Sequence, residues 1–474
     1  MPPVTLIPVV LVLLHAVGLA FAVDAVMKVR TAQGTVAWII ALILIPYISI
    51  PLYLVFGRRK FFGYARARRR GLTEIDEVAK TLVDNLRPFV PDFDPSNQTR
   101  IALMKLARLP ATRGNRVDLL VDGEKTFDAI LSAIDDARDY ILFQYYILRD
   151  DTLGKRVHDA LTRARARGVR IHLLYDELGS MGLPAIYLAT LVDAGAECSP
   201  FRADLGRRQP FRINFRNHRK VVVVDGRLAF VGGLNVGDEY LGLHEKLKPW
   251  RDTHVAIRGP AVQCVQLAFV EDWYWVHGRV PKLEWSPRPD ETSDAVALVI
   301  PSSPADDLET CSLLYSQVAA SARTRLWLAS PYFVPDRALV GSLQLAALRG
   351  VDVRVIVPEI SDAEMLRLSA FTFYDEVIPS GVKLFRFQAG FLHQKVALAD
   401  SLVLVGSANL DNRSFRINFE ITILVDHEPF AQQVSEMLKA DLSKSVPVAK
   451  DDFQSRTFWF RFKCRVARLM APIQ

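Results

Sequence analysis

The hydrophobic pattern divides the chain into an apolar opening and a longer alternating remainder. Val4 to about Val26 is apolar apart from His15 and, near its end, Asp24, and Val36 to Phe56 (VAWIIALILIPYISIPLYLVF) carries no charge. A helix needs about 20 apolar residues to cross a bilayer, so both stretches predict membrane spans. Pro46 and Pro51 lie in the second, where a membrane helix tolerates a residue that a soluble helix rejects. A cleaved signal peptide is the competing reading of the first stretch, but no Lys or Arg precedes it and a second span follows closely. A transmembrane helical hairpin over residues 1–57 is therefore expected.

From about residue 117 the pattern becomes alternating strand and helix. Val117 to Val121 reads as a strand, Glu124 to Arg138 as a helix entered through Asp122 and Gly123, and Tyr140 to Leu148 as a strand. Leu153 to Arg167 reads as a helix ended by Gly168, and Val169 to Tyr175 as a buried strand. The order recurs in Leu326 to Ala329, Arg337 to Arg349 closed by Gly350, and Val351 to Val357; RGVRIHLLYDE in the first copy answers RGVDVRVIVPE in the second. A repeat of this size is a duplicated α/β domain rather than a solenoid unit. The Pro- and Ser-containing stretch Trp285 to Asp306 is the expected boundary. The predicted divisions are 1–57 for the spans, 58–114 for a basic juxtamembrane linker, 115–290 and 291–445 for the two halves, and 446–474 for a basic amphipathic C-terminal segment.

Charge adds an orientation. The 474 residues carry 59 Lys and Arg against 52 Asp and Glu, a formal net charge of +7. Half the residues are apolar, which excludes a disordered chain. Lys28 and Arg30 lie between the spans, whereas Arg58, Arg59, Lys60, Arg66, Arg68, Arg69 and Arg70 follow the second. The positive-inside tendency then predicts a multi-pass membrane protein with its large C-terminal part in the cytoplasm. Cys198, Cys264, Cys311 and Cys464 form no CxxC pair, so neither a disulfide frame nor a zinc site is expected.

The chemistry is carried by a pattern written twice, NHRKVVVVD at residues 217–225 and HQKVALAD at 393–400. In each, His and Lys two positions apart on a strand would share one face: His218 with Lys220, and His393 with Lys395. Asp225 and Asp400, at an odd offset, fall off that face and are expected to hold the turn and local charge pairs, Asp225-Gly226 being a hairpin signal. A small-residue turn ending in Asn follows each copy, Gly232-Gly233-Leu234-Asn235 and Gly406-Ser407-Ala408-Asn409. A phosphodiester needs charge neutralisation, a nucleophile and a proton donor. Two Lys and two Asn can hold its non-bridging oxygens, one neutral His can attack phosphorus, and a second, protonated, can donate to the leaving alcohol. No Walker-type loop or carboxylate cluster suggests nucleotide and Mg²⁺, so no cofactor is expected. Asp252 in WRDTH and Glu420 in INFE, each downstream of its own half's Asn, are the candidates to orient the imidazoles.

These paired HxKxxxxD motifs resemble the phospholipase D superfamily over about residues 115–445. The spans together with NFRNHRK, GGLNVGDEYLG, WRDTH, FLHQK and GSANLDNRSFRINFE resemble the bacterial cardiolipin synthases more narrowly. The resemblance implies two half-domains of mixed sheets flanked by helices and one site between them, with His218, Lys220, Asp225, His393, Lys395 and Asp400 as motif residues. It implies transfer of a phosphatidyl group between two phosphatidylglycerol molecules at the anionic inner membrane of a bacterium, with His218 as nucleophile and His393 as acid and base, and no nucleic acid partner. Hydrolysis by a phospholipase D, a membrane-tethered nuclease and a non-catalytic lipid scaffold remain alternatives; oligomeric state is open. The first copy departs from the pattern in having Gly233 where the second has Ser407, and the second has one residue fewer between Asp and Gly.

Other features have bland and sharp readings. His158, His172, His244, His254, His277 and His427 are expected to be structural. Arg202, Arg207, Arg208, Arg212, Arg216 and Arg219, interleaved with Phe201, Phe211 and Phe215, read as a basic lip for anionic headgroups, or as a solvated loop. Arg456 to Met470 (RTFWFRFKCRVARLM) reads either as an interfacial helix or as a helix packed on the domain with its charges in water. Tyr145, Tyr146, Tyr332 and Phe333 are expected to be pocket wall and core.

Overall fold

Pro3–Lys28 forms the first apolar pass as one helix, and Pro8–Lys28 within it is long and apolar enough to cross a membrane. The second pass is divided: Ala32–Leu44 and Pro46–Leu52 are helical on either side of Ile45, and Tyr53–Gly57 is a π turn. The single span expected from Val36 to Phe56 is therefore broken, because Pro46 has no N–H and its ring crowds the preceding turn. Ser49 Oγ donates to the carbonyls of Ala41 (2.7 Å) and Ile45 (2.8 Å), re-satisfying backbone at the break. The passes approach closely at Gly18, where a Cβ would lie 2.3 Å from the Leu42 carbonyl oxygen. Tyr53 OH donates to Asp24 (2.9 Å), and Lys28 also pairs with that carboxylate.

This computed structural model describes residues 3–29, 32–57, 72–94, 96–201 and 215–471. The chain separates into two units, Met1–Ala65 with Ala203–Phe215, and Arg66–Arg202 with Arg216–Gln474. The arginines from 58 to 70 and the span 202–214 of the expected lip lie outside the described residues.

The larger unit is built on one sixteen-stranded mixed sheet made of two similar runs. In the first, neighbours in order are Glu197–Phe201, Arg170–Asp176, Tyr140–Tyr145, Val221–Val224, Leu228–Gly232, Thr253–Arg258 and Thr112–Val121. The second runs Ser445–Pro447, Lys383–Phe387, Asp352–Pro358, Arg325–Ala329, Val396–Ala399, Leu402–Gly406, Asn418–Asp426 and Ala295–Ser302. Ala295–Ser302, inside the stretch expected to be a boundary, is the strand that joins the runs, pairing with both Thr112–Val121 and Asn418–Asp426.

Alternation along the motif strands sorts their side chains into three cores. Val221 and Val223 share one cluster with Val396 and Leu398 and with the helices Ala261–His277 and Glu428–Ser443, so the two halves pack across a common interior. Val222 and Val224 face outward against Phe127, Ile130 and Val157, while Ala397 and Ala399 face Leu314, Val318 and Leu343. At about 1.5–3 kcal/mol for each fully buried aliphatic side chain, the shared interior is what holds the halves together. The predicted helix ends hold: Gly168 (φ 90°) and Gly350 (φ 89°) take the left-handed conformation after their helices. Asp151 and Asp336 cap the corresponding helix starts through Gly154 N (2.9 Å) and Leu339 N (3.0 Å).

Candidate active site

The His-x-Lys segments are not on the central strands, where their spacing put them. His218 to Lys220 and His393 to Lys395 lie in irregular backbone just before Val221–Val224 and Val396–Ala399. The reason is that each segment pairs into the opposite half. Arg216–Asn217 runs parallel to Asn418–Phe419, and His218 N donates to Phe419 O (2.9 Å). Phe391–Leu392 runs parallel to Trp250–Arg251, and His393 N donates to Arg251 O (2.7 Å).

That crossing delivers each orienting carboxylate to the other half's imidazole. His218 Nδ1 lies 3.0 Å from both oxygens of Glu420 and 3.1 Å from Ser407 O, and His393 Nδ1 lies 2.7 Å from Asp252 Oδ2. Pairing within a half, as the chain order implied, is thus corrected. All three neighbours of His218 Nδ1 are acceptors, so the hydrogen-bond network assigns that ring's proton to Nδ1 and leaves its Nε2 available. His393 Nδ1 faces an acceptor, Asp252, and a donor, Lys395, on the same side of its ring, which turns its Nε2 away from both. Lys395 Nζ approaches His393 Nδ1 to 2.8 Å and donates to His393 O, and Lys220 donates to His218 O (2.6 Å).

All of these groups are buried, which sets their protonation. Burial pushes His218 down to about 4, outweighing Glu420, while Lys220 and Lys395 push in the same direction. Burial and then Lys395 lower His393 as well. Burial lowers Lys395 to about 8 and Lys220 well below the ordinary lysine range. Burial alone would raise the carboxylates, but Lys395 and His393 hold Asp252 below its usual range, and His218 and Lys220 do the same for Glu420. The mutual influence of Lys395 on His218 and of Asp252 on Lys220 brings both motifs into one electrostatic cluster.

The remaining predicted residues fall into distinct places. Asp225 and Asp400 occupy the far ends of the motif strands in left-handed conformation (both φ 52°) and accept backbone N–H groups. Asp225 binds those of Arg138, Asp139 and Tyr140 (2.8–2.9 Å); Asp400 binds those of Arg323, Thr324 and Arg325 (2.8–3.1 Å). By the rise of a strand, about 3.3 Å per residue, Asp225 sits about 16 Å along the chain from Lys220. The one-residue difference between the copies is the turn: three residues, 225–227, in the first and two, 400–401, in the second. Asn235 is engaged locally, accepting from Ile147 N (3.1 Å) and donating to Tyr240 OH (2.8 Å), whereas Asn409 Oδ1 is buried without a hydrogen-bond partner.

The Gly233/Ser407 difference follows the carboxylates. Ser407 Oγ donates to Glu420 Oε2 (2.5 Å), so its hydroxyl serves the orienting group. At Gly233 a Cβ would lie 2.2 Å from Asp252 Oδ1, so the shorter acid needs the space.

Sequence reasoning missed the layer behind the motifs. Arg219, expected in a basic lip, is 1% exposed and donates to Asp272 Oδ2 (3.0 Å), Ala268 O (2.9 Å) and Glu420 O (3.1 Å). Asp272 also accepts from Asn217 (2.7 Å) and Gln144 (2.8 Å). In the second motif Gln394 replaces the arginine and donates to Asp441 (3.1 Å), which in turn binds Arg251 of the first half through Nε (2.8 Å) and a terminal nitrogen (3.1 Å). Their polar spacing gave no signal, since each partner lies on a helix distant in sequence. Tyr146 packs against the His218 ring (5.0 Å between centroids) and Trp250 against His393 (4.9 Å), while Tyr332 OH donates to Asp362 (2.8 Å). His172 and His254 are buried, the latter accepting from Leu234 N (3.4 Å), His158 contacts Thr190 (2.7 Å), and His277 stacks on Trp273. Among the described residues no cluster of three or more His, Cys, Asp or Glu is arranged to hold a metal ion.

The chain has relatives among known proteins over nearly its whole length. Residues 130–257 and 315–442 match the family model described as "Cardiolipin synthase, PLD-like domain", and residues 16–58 match "Phospholipase_D-nuclease N-terminal". The chain is 45% identical over 469 residues to Cardiolipin synthase A of Pseudomonas putida, covering 97% of this chain and 96% of that protein. It is 45% identical over 479 residues to Cardiolipin synthase A of Pseudomonas aeruginosa, covering 100% and 97%. The crystal structure of phosphatidylserine synthase from Haemophilus influenzae superposes with a TM-score of 0.60 at 14% identity, covering 80% of this chain and 100% of that one, which shows a shared fold.

Proposed function

Since the chain belongs to the cardiolipin synthase family of the phospholipase D superfamily, we propose that it transfers a phosphatidyl group from one phosphatidylglycerol to another, giving cardiolipin and glycerol. The observation that carries the reading is the pair of imidazoles, each tied at Nδ1 to a buried carboxylate of the opposite half and free at Nε2.

His218, held neutral, attacks phosphorus through Nε2. The bond from phosphorus to the glycerol headgroup oxygen breaks, and His393 Nε2–H gives that oxygen its proton. An anionic diester entering beside Lys220 and Lys395 offsets their charge and raises His393 back toward the protonated form that this step needs. The terminal hydroxyl of a second phosphatidylglycerol then attacks the phosphohistidine, His393 takes its proton, and the nitrogen–phosphorus bond breaks. The two lysines and Asn409 stabilise the non-bridging oxygens. Asp252 and Glu420 keep the tautomers, and Asp225 and Asp400 hold the ends of the motif strands. The basic flank that follows the second pass supports an inner-membrane, multi-pass placement with the catalytic unit on the cytoplasmic side.

The test gives purified protein in detergent phosphatidylglycerol alone and identifies the products, with His218→Ala beside it. Cardiolipin with one glycerol per molecule, absent from the variant, is expected. Phosphatidic acid without cardiolipin would mean that water takes the phosphatidyl group and would overturn the transferase reading.

A further inference from the structure

The C-terminal helix Phe458–Leu469 has two apolar faces, and only one of them is used by the fold. On one side Phe460, Cys464, Ala467 and Ala471 pack toward the helix Glu364–Val377, with Phe460 edge-on to Phe371 (5.0 Å) and Arg468 paired with Glu376. On the other side Phe458 (64% exposed), Trp459 (69%), Phe462 (50%), Val466 (46%), Leu469 (77%) and Met470 stand in solvent. At about 100° per residue these six positions fall within an arc of about 120°, clear of the packed face. Phe458, Trp459 and Phe462 touch one another, so the patch is continuous at its N-terminal end. Arg461 and Arg465 border the arc on one side and Lys463 on the other.

We propose that this face is a second membrane contact of the chain, in which the exposed aromatic and aliphatic residues of Phe458–Leu469 enter the headgroup boundary of an anionic bilayer. A helix with an apolar stripe, a basic border and a Trp at the stripe is suited to lie in that interface, the rings below the headgroups and the cations against lipid phosphates. Charge complementarity selects an anionic lipid surface over a second copy of this chain, because two such faces would bring their basic borders together. The opposite face is already satisfied by packing, so docking requires no refolding. The choice of occupant rests on the phospholipid chemistry proposed above. The consequence is that the catalytic unit is held at the bilayer independently of the N-terminal passes.

The experiment uses the full chain in nanodiscs, with Cys198→Ser to remove the half-buried thiol and a polarity-sensitive fluorophore on Leu469→Cys. Doxyl-labelled lipid in phosphatidylglycerol nanodiscs is expected to quench the label by about half or more, and markedly less when phosphatidylcholine replaces phosphatidylglycerol. A label untouched by doxyl lipid in both compositions overturns the proposal, as does a cross-link from the same thiol to a second copy in place of quenching. Protein that is quenched but forms no cardiolipin sinks the transferase reading and leaves this one standing. Protein that forms cardiolipin with an unquenched label does the reverse.

Discussion

Glu420 holds both carboxylate oxygens 3.0 Å from Nδ1 of His218, although the two residues belong to different halves of the repeat. Glu420→Gln removes the anion that fixes the ring while keeping the shape. The rate of phosphohistidine formation should fall by about 10³-fold or more with little change in fold. Asp252→Asn should slow both formation and breakdown of the intermediate, because its partner His393 is the acid of the first step and the base of the second. Rapid-quench trapping of labelled lipid on the protein separates the two; label on the His393 peptide would reverse the assignment.

Behind His393, the Arg251–Asp441 pair crosses between the halves in a site where Asp441 is 1% exposed. Asp441→Asn leaves Arg251 with Asp122 (3.1 Å) as its remaining carboxylate partner and should cost about 1.5–3 kcal/mol, the worth of a hydrogen bond to a charged group. Chemical denaturation followed by tryptophan fluorescence measures it.

Asp225 gives a contrasting expectation. Its carboxylate binds three backbone N–H groups away from the imidazoles, so Asp225→Ala should lower stability by about 1–3 kcal/mol while the folded fraction keeps its turnover. Loss of turnover on the scale of His218→Ala, at unchanged stability, would return Asp225 to the chemistry.

The buried histidines predict a pH dependence with a definite sign. Burial lowers His172 and His218 to about 4 and His254 to about 3, from 6.5. Between about 6.5 and 4 the unfolded chain binds protons that the native chain refuses, so stability should fall as pH drops through that window and be unaffected by these groups above it. Thermal unfolding across pH 4 to 7 checks this. For catalysis, kcat/KM should rise as His218 loses its proton near pH 4 and decline as His393, the acid, loses its own below the ordinary histidine range, with a further loss above about pH 8 as Lys395 is discharged.

What the sequence revealed followed from local patterning. The duplicated motif located both imidazoles and both lysines, and the glycines at 168 and 350 marked helix ends because a left-handed residue favours glycine there. The two acids that lie against Nδ1 of the histidines were also named, since each closes a recognisable run. Their crossed pairing was not legible, because spacing along the chain records neither which half a strand end reaches nor which carbonyl His218 N meets. Arg219 was misread for the same reason. An arginine among other arginines looks exposed until Asp272 is known to wait beneath it. The break at Ile45 was signalled by Pro46, but the rescue by Ser49 depends on geometry.

The crossed carboxylates carry an implication for ancestry and engineering. A half expressed alone would present its His and Lys with no acid for its own ring, and its acid with no ring to serve. Two identical copies could nevertheless complete one another about a twofold axis. Within one polypeptide each centre can differ from the other, as Asp252 beside Gly233 differs from Glu420 beside Ser407. Transplanting one half's acid and small residue together into the other, rather than singly, is the exchange that the packing permits.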